Sequence, residues 1–143
     1  LVAYNFKHDW VRLQKEFPSA PSINGDTSEA EAIDIVKKWN AGEHNLVFMH
    51  PASVAHGLNM QEQGGDVIWF SLTDNLEYYD QFNRRIHRQG VKSSVTVHHL
   101  LGKNTVDQAI LWNNTQKSET QVNLLNALKQ YRTKHRQKVE KNV

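Results

Sequence analysis

Gln81, Arg85 and Arg88 stand at i, i+4 and i+7 in a stretch with no Gly or Pro until Gly90. At about 100° per residue, that spacing puts an amide and two guanidiniums on one helix face. Each guanidinium is a planar fork of fixed charge, which Lys does not supply. The same spacing also describes a plain solvated basic face. Tyr79, Phe82 and Ile86 form a second stripe roughly 100° round from the first. The helix is therefore expected to bury one side and present the arginines beside it. Thr73-Asp74-Asn75 precede it as a cap cluster, with Asp74 or Asn75 as N-cap, and Gly90 stops it.

Other chemistries fit the chain less well. Eight His invite a metal reading, but His98 and His99 are adjacent on a strand-like run and point to opposite faces. No H-x-x-x-H pair with a suitable acid occurs, and the chain has no Cys, so no metal site is expected. Ser53, His56 and Asp66 could be drawn as a nucleophile triad, yet no G-x-S-x-G elbow presents the serine. Neither a G-x-x-x-x-G-K-[ST] phosphate cradle nor a D-E-x-x acidic pair after a strand is present.

The elements that must position these residues alternate. Leu1–Tyr4 reads as a short buried strand, followed by a helix from about His8 to Phe17 with Trp10, Leu13 and Phe17 at helical spacing. Pro18–Pro21 ends it, and Ser22-Ile23 is a second strand. Asn24–Ser28 is a turn, and Ser28-x-x-Glu31 is a capping box opening a helix to about Asn40. Ile33, Val36 and Trp39 are its expected buried stripe. Leu46–Met49 is a buried apolar run, and the loop His50–Gln61 follows its end, where ligands collect in open parallel sheets. Asp66–Phe70 is the next strand, and Ser94–Leu100 alternates like another. A helix starting near Gly102–Asp107 would carry Val106, Ile110 and Leu111. A last helix from about Glu119 would turn Val122, Leu125 and Leu128 inward and pass into the basic stretch Lys129 to Lys141.

A chain of 143 residues is one domain's worth, able to bury about 70% of its unfolded surface. Hydrophobic content of 38% and charged content of 22% are those of an ordinary globular protein. No apolar run approaches the roughly 20 residues that span a bilayer, and no signal-peptide pattern opens the chain. A cytoplasmic setting without membrane partners is expected. The net charge of +2 is uneven: residues 117–143 hold seven Lys/Arg against two acids, leaving ten against thirteen elsewhere. Such a tail suits a polyanion, or is merely a soluble end. Leu1 begins directly in a strand-like run, which looks like a segment cut from a longer protein.

Gln81-x-x-x-Arg85-x-His87-Arg88-x-Gly90 resembles motif VI of superfamily 2 helicases, and within them the Swi/Snf-type DNA translocases, whose pattern is Q-x-x-x-R-x-H-R-x-G-Q. Val91 departs from it at the last position. The loop His50–Gln61 resembles motif V, written S-x-x-G-L-N-L in many relatives, and phage-encoded members with His-Gly-Leu-Asn are the most similar. Asn24–Ser28 resembles the D-G-S-T-S segment, although Ala32 stands where relatives often carry Arg. Asn75 keeps the Asn of a W-N-P segment, and Gly102–Asp107 resembles G-T-[IV]-[ED]. The likeness covers roughly residues 1–116.

That resemblance implies a RecA-like α/β helicase C-terminal lobe: a mainly parallel sheet of five or six strands, helices on both faces and extra C-terminal helices. Residues 1–116 would form the lobe and 117–143 a basic helical extension of the same domain. Arg85 and Arg88 would engage the phosphates of ATP, Arg88 as arginine finger, with Gln81, Gly57 and Asn59 lining the cleft. Thr27, Ser28, Ser53 and His56 would contact the DNA backbone without reading sequence. ATP and Mg2+ would be held mainly by an N-terminal lobe of the same protein outside this chain. The isolated lobe would then be inactive and hold no tight cofactor; a phage-encoded protein would work in the host cytoplasm. The alternative is a non-catalytic nucleic-acid-binding or scaffold module using the basic C-terminal helix.

Overall fold

Five short apolar runs pair into one sheet: β1 (Val2–Ala3), β2 (Ser22–Ile23), β3 (Phe48–Met49), β4 (Val67–Trp69) and β5 (Val97–His99). The computed structural model describes residues 1–56, 58–60, 65–86 and 94–140, with the backbone alone at 54–56, 121 and 125–140. Every pairing is parallel and the order is β2-β3-β1-β4-β5. Parallel neighbours need crossovers, and these are α1 (Lys7–Glu16), α2 (Glu29–Asn40) and α3 (Leu76–Ile86). A 3₁₀ segment, Pro51–His56, follows β3, and α4 (Asp107–Glu140) follows β5.

Side chains alternate along a strand, so the register sorts the core into two layers. Val2 pairs with Phe48 and Ile68, and these face α1 through Leu13 and Trp10. Ala3 pairs with Met49 and Trp69 on the opposite side. There α2 contributes Ile35, Val36 and Trp39, α3 contributes Phe82 and Ile86, and Ile110 and Leu111 of α4 pack alongside. A RecA-like sheet of five strands with helices on both faces is thus realised. Because all strands run one way, the loops after them leave from a single edge.

Trp69 seats α3 on that sheet. Its ring lies 5.0 Å from those of Tyr79 and Phe82, and its Nε1–H donates to Asn83 Oδ1 at 3.0 Å. The Tyr79 hydroxyl meets His99 Nε2 at 2.8 Å, tying α3 to β5 as well. Asn75 is the N-cap, its Oδ1 accepting from Tyr78 N at 3.2 Å. The stripe expected on this helix, Tyr79, Phe82 and Ile86, is the one that packs. Gly90, its expected stop, lies outside the described residues.

Two other helices differ from expectation. Ser28 caps α2 as the capping box implies, its Oγ accepting from Glu31 N. The buried stripe is Ala32, Ile35, Val36 and Trp39, at i, i+3, i+4 and i+7, while Ile33 is 55% exposed. Small Ala32 lets the helix approach the sheet, and that rotation turns Ile33 to solvent. In place of two C-terminal helices there is one of 34 residues, about 50 Å long. No Gly or Pro interrupts 107–140, and the Asn, Thr and Ser within it are weak breakers. Val106 precedes this helix and is 71% exposed, and Val122 is exposed rather than inward. The side chains of Leu125 and Leu128 lie outside the described set. Asn114 anchors α4: it is 1% exposed and its Nδ2 donates to Thr73 O at 2.9 Å.

Candidate functional site

The segment after the 3₁₀ turn is held by its carbonyls. Arg85 Nη1 donates to Leu58 O at 3.3 Å, Asn40 Nδ2 to Asn59 O at 2.8 Å and Trp39 Nε1 to Met60 O at 3.1 Å. The Met60 amide returns a bond to Arg85 O at 3.3 Å. Three consecutive peptide units are thus fixed between the ends of α2 and α3. Arg85 is half-buried, at the rim of the layer formed by Phe82 and Ile86. Nη1 of its guanidinium thereby serves the fold by holding this segment.

Asn59, expected to line the cleft, has its backbone carbonyl held by Asn40, and its Oδ1 is buried without a hydrogen-bond partner among the described residues. Gln81, one turn before Arg85, bonds Glu77 Oε1 at 3.0 Å and does not reach residues 58–60 among the described contacts. Arg88 and Gly57 lie outside the described residues, as does the side chain of His56.

A second feature opens at the edge where the strands end. A cavity of about 470 Å³ lies between the segments following β1, β2 and β3. Asn24, Gly25, Ala52 and Ser53 contribute to its wall, with Tyr4, Trp10 and His50 as its rings and Lys7 and Asp26 as its charged residues. Burial holds the Tyr4 phenol above the ordinary tyrosine range, against the opposing effect of the Asn24 amide. Of the four residues expected to meet DNA, Ser53 lines this cavity. Thr27 and Ser28 sit beside it in sequence but are engaged locally. The Thr27 hydroxyl accepts from Asn24 N at 3.0 Å, and Ser28 caps α2.

Residue patterns missed Trp39 and Asn40 as clamps, because Trp39 read only as a core position. They also missed Tyr4, Lys7, Trp10 and His50 as neighbours. Their common signal is position: each lies at or just after the end of a strand, or on the first turn of the helix that follows. Among the described residues, no three His, Asp or Glu come together in a metal-binding group.

Known structures place this architecture. The C-terminal part of the Fun30 ATPase domain superposes with a TM-score of 0.66 at 17% identity, over 79% of this chain and 38% of that one. E. coli DEAD-box protein SrmB, solved bound to the regulator of ribonuclease activity A, gives 0.56 at 14% identity, over 69% of this chain and 59% of that one. The fold is therefore that of the RecA-like C-terminal lobes of helicases. In sequence, protein p41 of Acyrthosiphon pisum secondary endosymbiont phage 1 is 36% identical over 134 residues. That alignment takes in 90% of this chain but only 28% of the phage protein. No family profile matches the chain.

Proposed function

We propose that this chain is the C-terminal motor lobe of an ATP-driven DNA helicase or translocase of the Swi/Snf type. The observation that carries the reading is Arg85 docked on Leu58, which joins the motif VI-like helix to the motif V-like segment on a helicase-lobe fold. In this reading ATP bridges two lobes. The N-terminal lobe holds Mg2+ and most of the nucleotide, and Arg85 and Arg88 approach its phosphates from this side. Charge developing on the transferred phosphoryl group is met by a guanidinium that needs no rearrangement. Gln81, Gly57 and Asn59 line that cleft, while Thr27, Ser28, Ser53 and His56 lie toward the DNA backbone. Contacts of that kind are nearly independent of sequence.

The test uses a protein in which an N-terminal ATP-binding lobe precedes this chain. It is expected to show DNA-stimulated ATP hydrolysis, whereas the 143-residue chain alone hydrolyses none. Arg88→Ala is expected to lower turnover at least about a hundredfold, within the range for arginine fingers. A variant with near-normal turnover removes the finger assignment.

A second reading, a non-catalytic nucleic-acid-binding module, draws on α4. That helix continues to Glu140, and Val122 and Leu124 are already exposed on it before the basic stretch begins.

A further inference from the structure

We infer that the cavity at the carboxyl edge of the sheet receives an unpaired nucleobase from the strand whose backbone the same loops grip. The assignment rests on the motor-lobe reading. A volume of about 470 Å³ falls in the range of small-ligand sites. Its walls are unlike those of a phosphate site. Tyr4 and His50 meet edge to face, with ring centroids 5.8 Å apart and planes at 70°.

The His50 ring is fixed at both nitrogens: Nε2 faces Asn5 O at 3.3 Å and Nδ1 faces the Ala52 amide at 3.3 Å. These partners fit the neutral tautomer with its hydrogen on Nε2. Trp10 supplies the third ring. Its Nε1 is buried without a hydrogen-bond partner among the described residues, so the indole presents hydrocarbon to the cavity. Tyr4 is 3% exposed and backs the wall, while Trp10 and His50 are half-buried and offer ring surface. A phosphodiester gains little from such surface, whereas every base has a π-face to lay against it.

The charges complete the match. Lys7, the first residue of α1, is the one Lys or Arg on the wall among the described residues. The N-cap of that helix, Phe6, makes no side-chain cap bond; the Asp9 amide bonds Phe6 O at 3.0 Å, which leaves the amides of Lys7 and His8 for an anion. Asp26, the other charged residue on the wall, disfavours a second phosphate and can accept from an exocyclic amino group. One anionic contact beside a wall with aromatic rings fits a single nucleotide unit. A base inside a duplex is stacked and paired, so the cavity selects single-stranded or locally opened DNA.

The experiment compares two labelled oligonucleotides of about 12 nucleotides, a length typical of single-strand sites. One is oligodeoxycytidylate, whose bases carry an exocyclic amino group, and the other its abasic counterpart with the same phosphates, each titrated with the whole chain at low salt by fluorescence anisotropy. The intact strand is expected to bind about tenfold tighter, the scale of one base stacked on aromatic rings. Ala52→Phe, which fills the cavity from its wall, is expected to bring the ratio of the two affinities close to unity. Circular dichroism checks that this variant is folded. A ratio near unity on the unaltered chain overturns the base site and leaves the backbone grip standing. A ratio that survives Ala52→Phe in a folded variant overturns the placement of the base in this cavity. Failure to bind either oligonucleotide overturns the backbone grip and the base site together.

Discussion

Arg85 makes its contact to Leu58 through Nη1 alone. A guanidinium carries its donors in a rigid planar fork, so this contact fixes the side chain's direction. Lys at this position could reach one carbonyl but would lose the planar fork. The spacing of Gln81, Arg85 and Arg88 was legible in the sequence because helical period alone decides it. What Arg85 touches was not legible, since Leu58 is 27 residues away and the pairing depends on how α3 sits against the 3₁₀ turn.

His99 supplies a pH dependence at the same scale. Burial first, and the neighbouring His98 second, hold its imidazole below the ordinary 6.5. Burial likewise raises the Tyr79 phenol, which favours the arrangement in which the hydroxyl donates to neutral Nε2. The unfolded chain therefore takes up the proton more readily than the folded one. The stability from this group is present above pH 6.5 and is lost as pH falls from there through the lowered folded value. Thermal melts from about pH 7.5 down to about pH 5 should show this loss, and His99→Gln should flatten it. An unchanged pH slope in that variant would assign the effect to other groups.

Among the elements, the loop before α4 shows how a short motif becomes a joint. Gly102 N donates to Asp107 Oδ2 at 2.8 Å, and the Thr105 hydroxyl bonds Gly102 O at 2.9 Å and Asp107 Oδ2 at 2.8 Å. A Cβ on Gly102 would stand 2.5 Å from Thr105 Cγ2. Thr105 cannot rotate away without giving up both hydroxyl bonds. Gly102→Ala is therefore expected to cost about 1–2 kcal/mol, seen as a lower Tm. An unshifted Tm would mean the loop repacks freely.

The likeness of this stretch to a helix-opening signature was legible. The length of α4 was not, because the Asn, Thr and Ser after Leu111 resemble a break when read singly. Nor was the rotation of α2, because Ala32 and Ile33 are both apolar, and the sheet's demand for a small residue appears only once the layers are stacked. Strand order was beyond the sequence too. Runs of two or three residues name no neighbours, and β1 lies between β3 and β4 only in three dimensions.

For the whole molecule, the two functional readings part at the basic end. Removing residues 129–143 takes away six of the seven Lys/Arg beyond position 116. If the sheet edge is the main grip on DNA, binding at low salt should survive that deletion with a shallower dependence on salt concentration. Complete loss would favour the non-catalytic module. Among the described residues no helix is long and apolar enough to cross a membrane.

Leu58, Asn59 and Met60 have each committed the peptide oxygen to a donor from the lobe itself. The surface this strap turns outward is correspondingly short of lone pairs. A visitor bringing hydrogens finds few takers there, and a metal cation finds few oxygens. Whatever reaches the strap meets a backbone already set from inside the lobe.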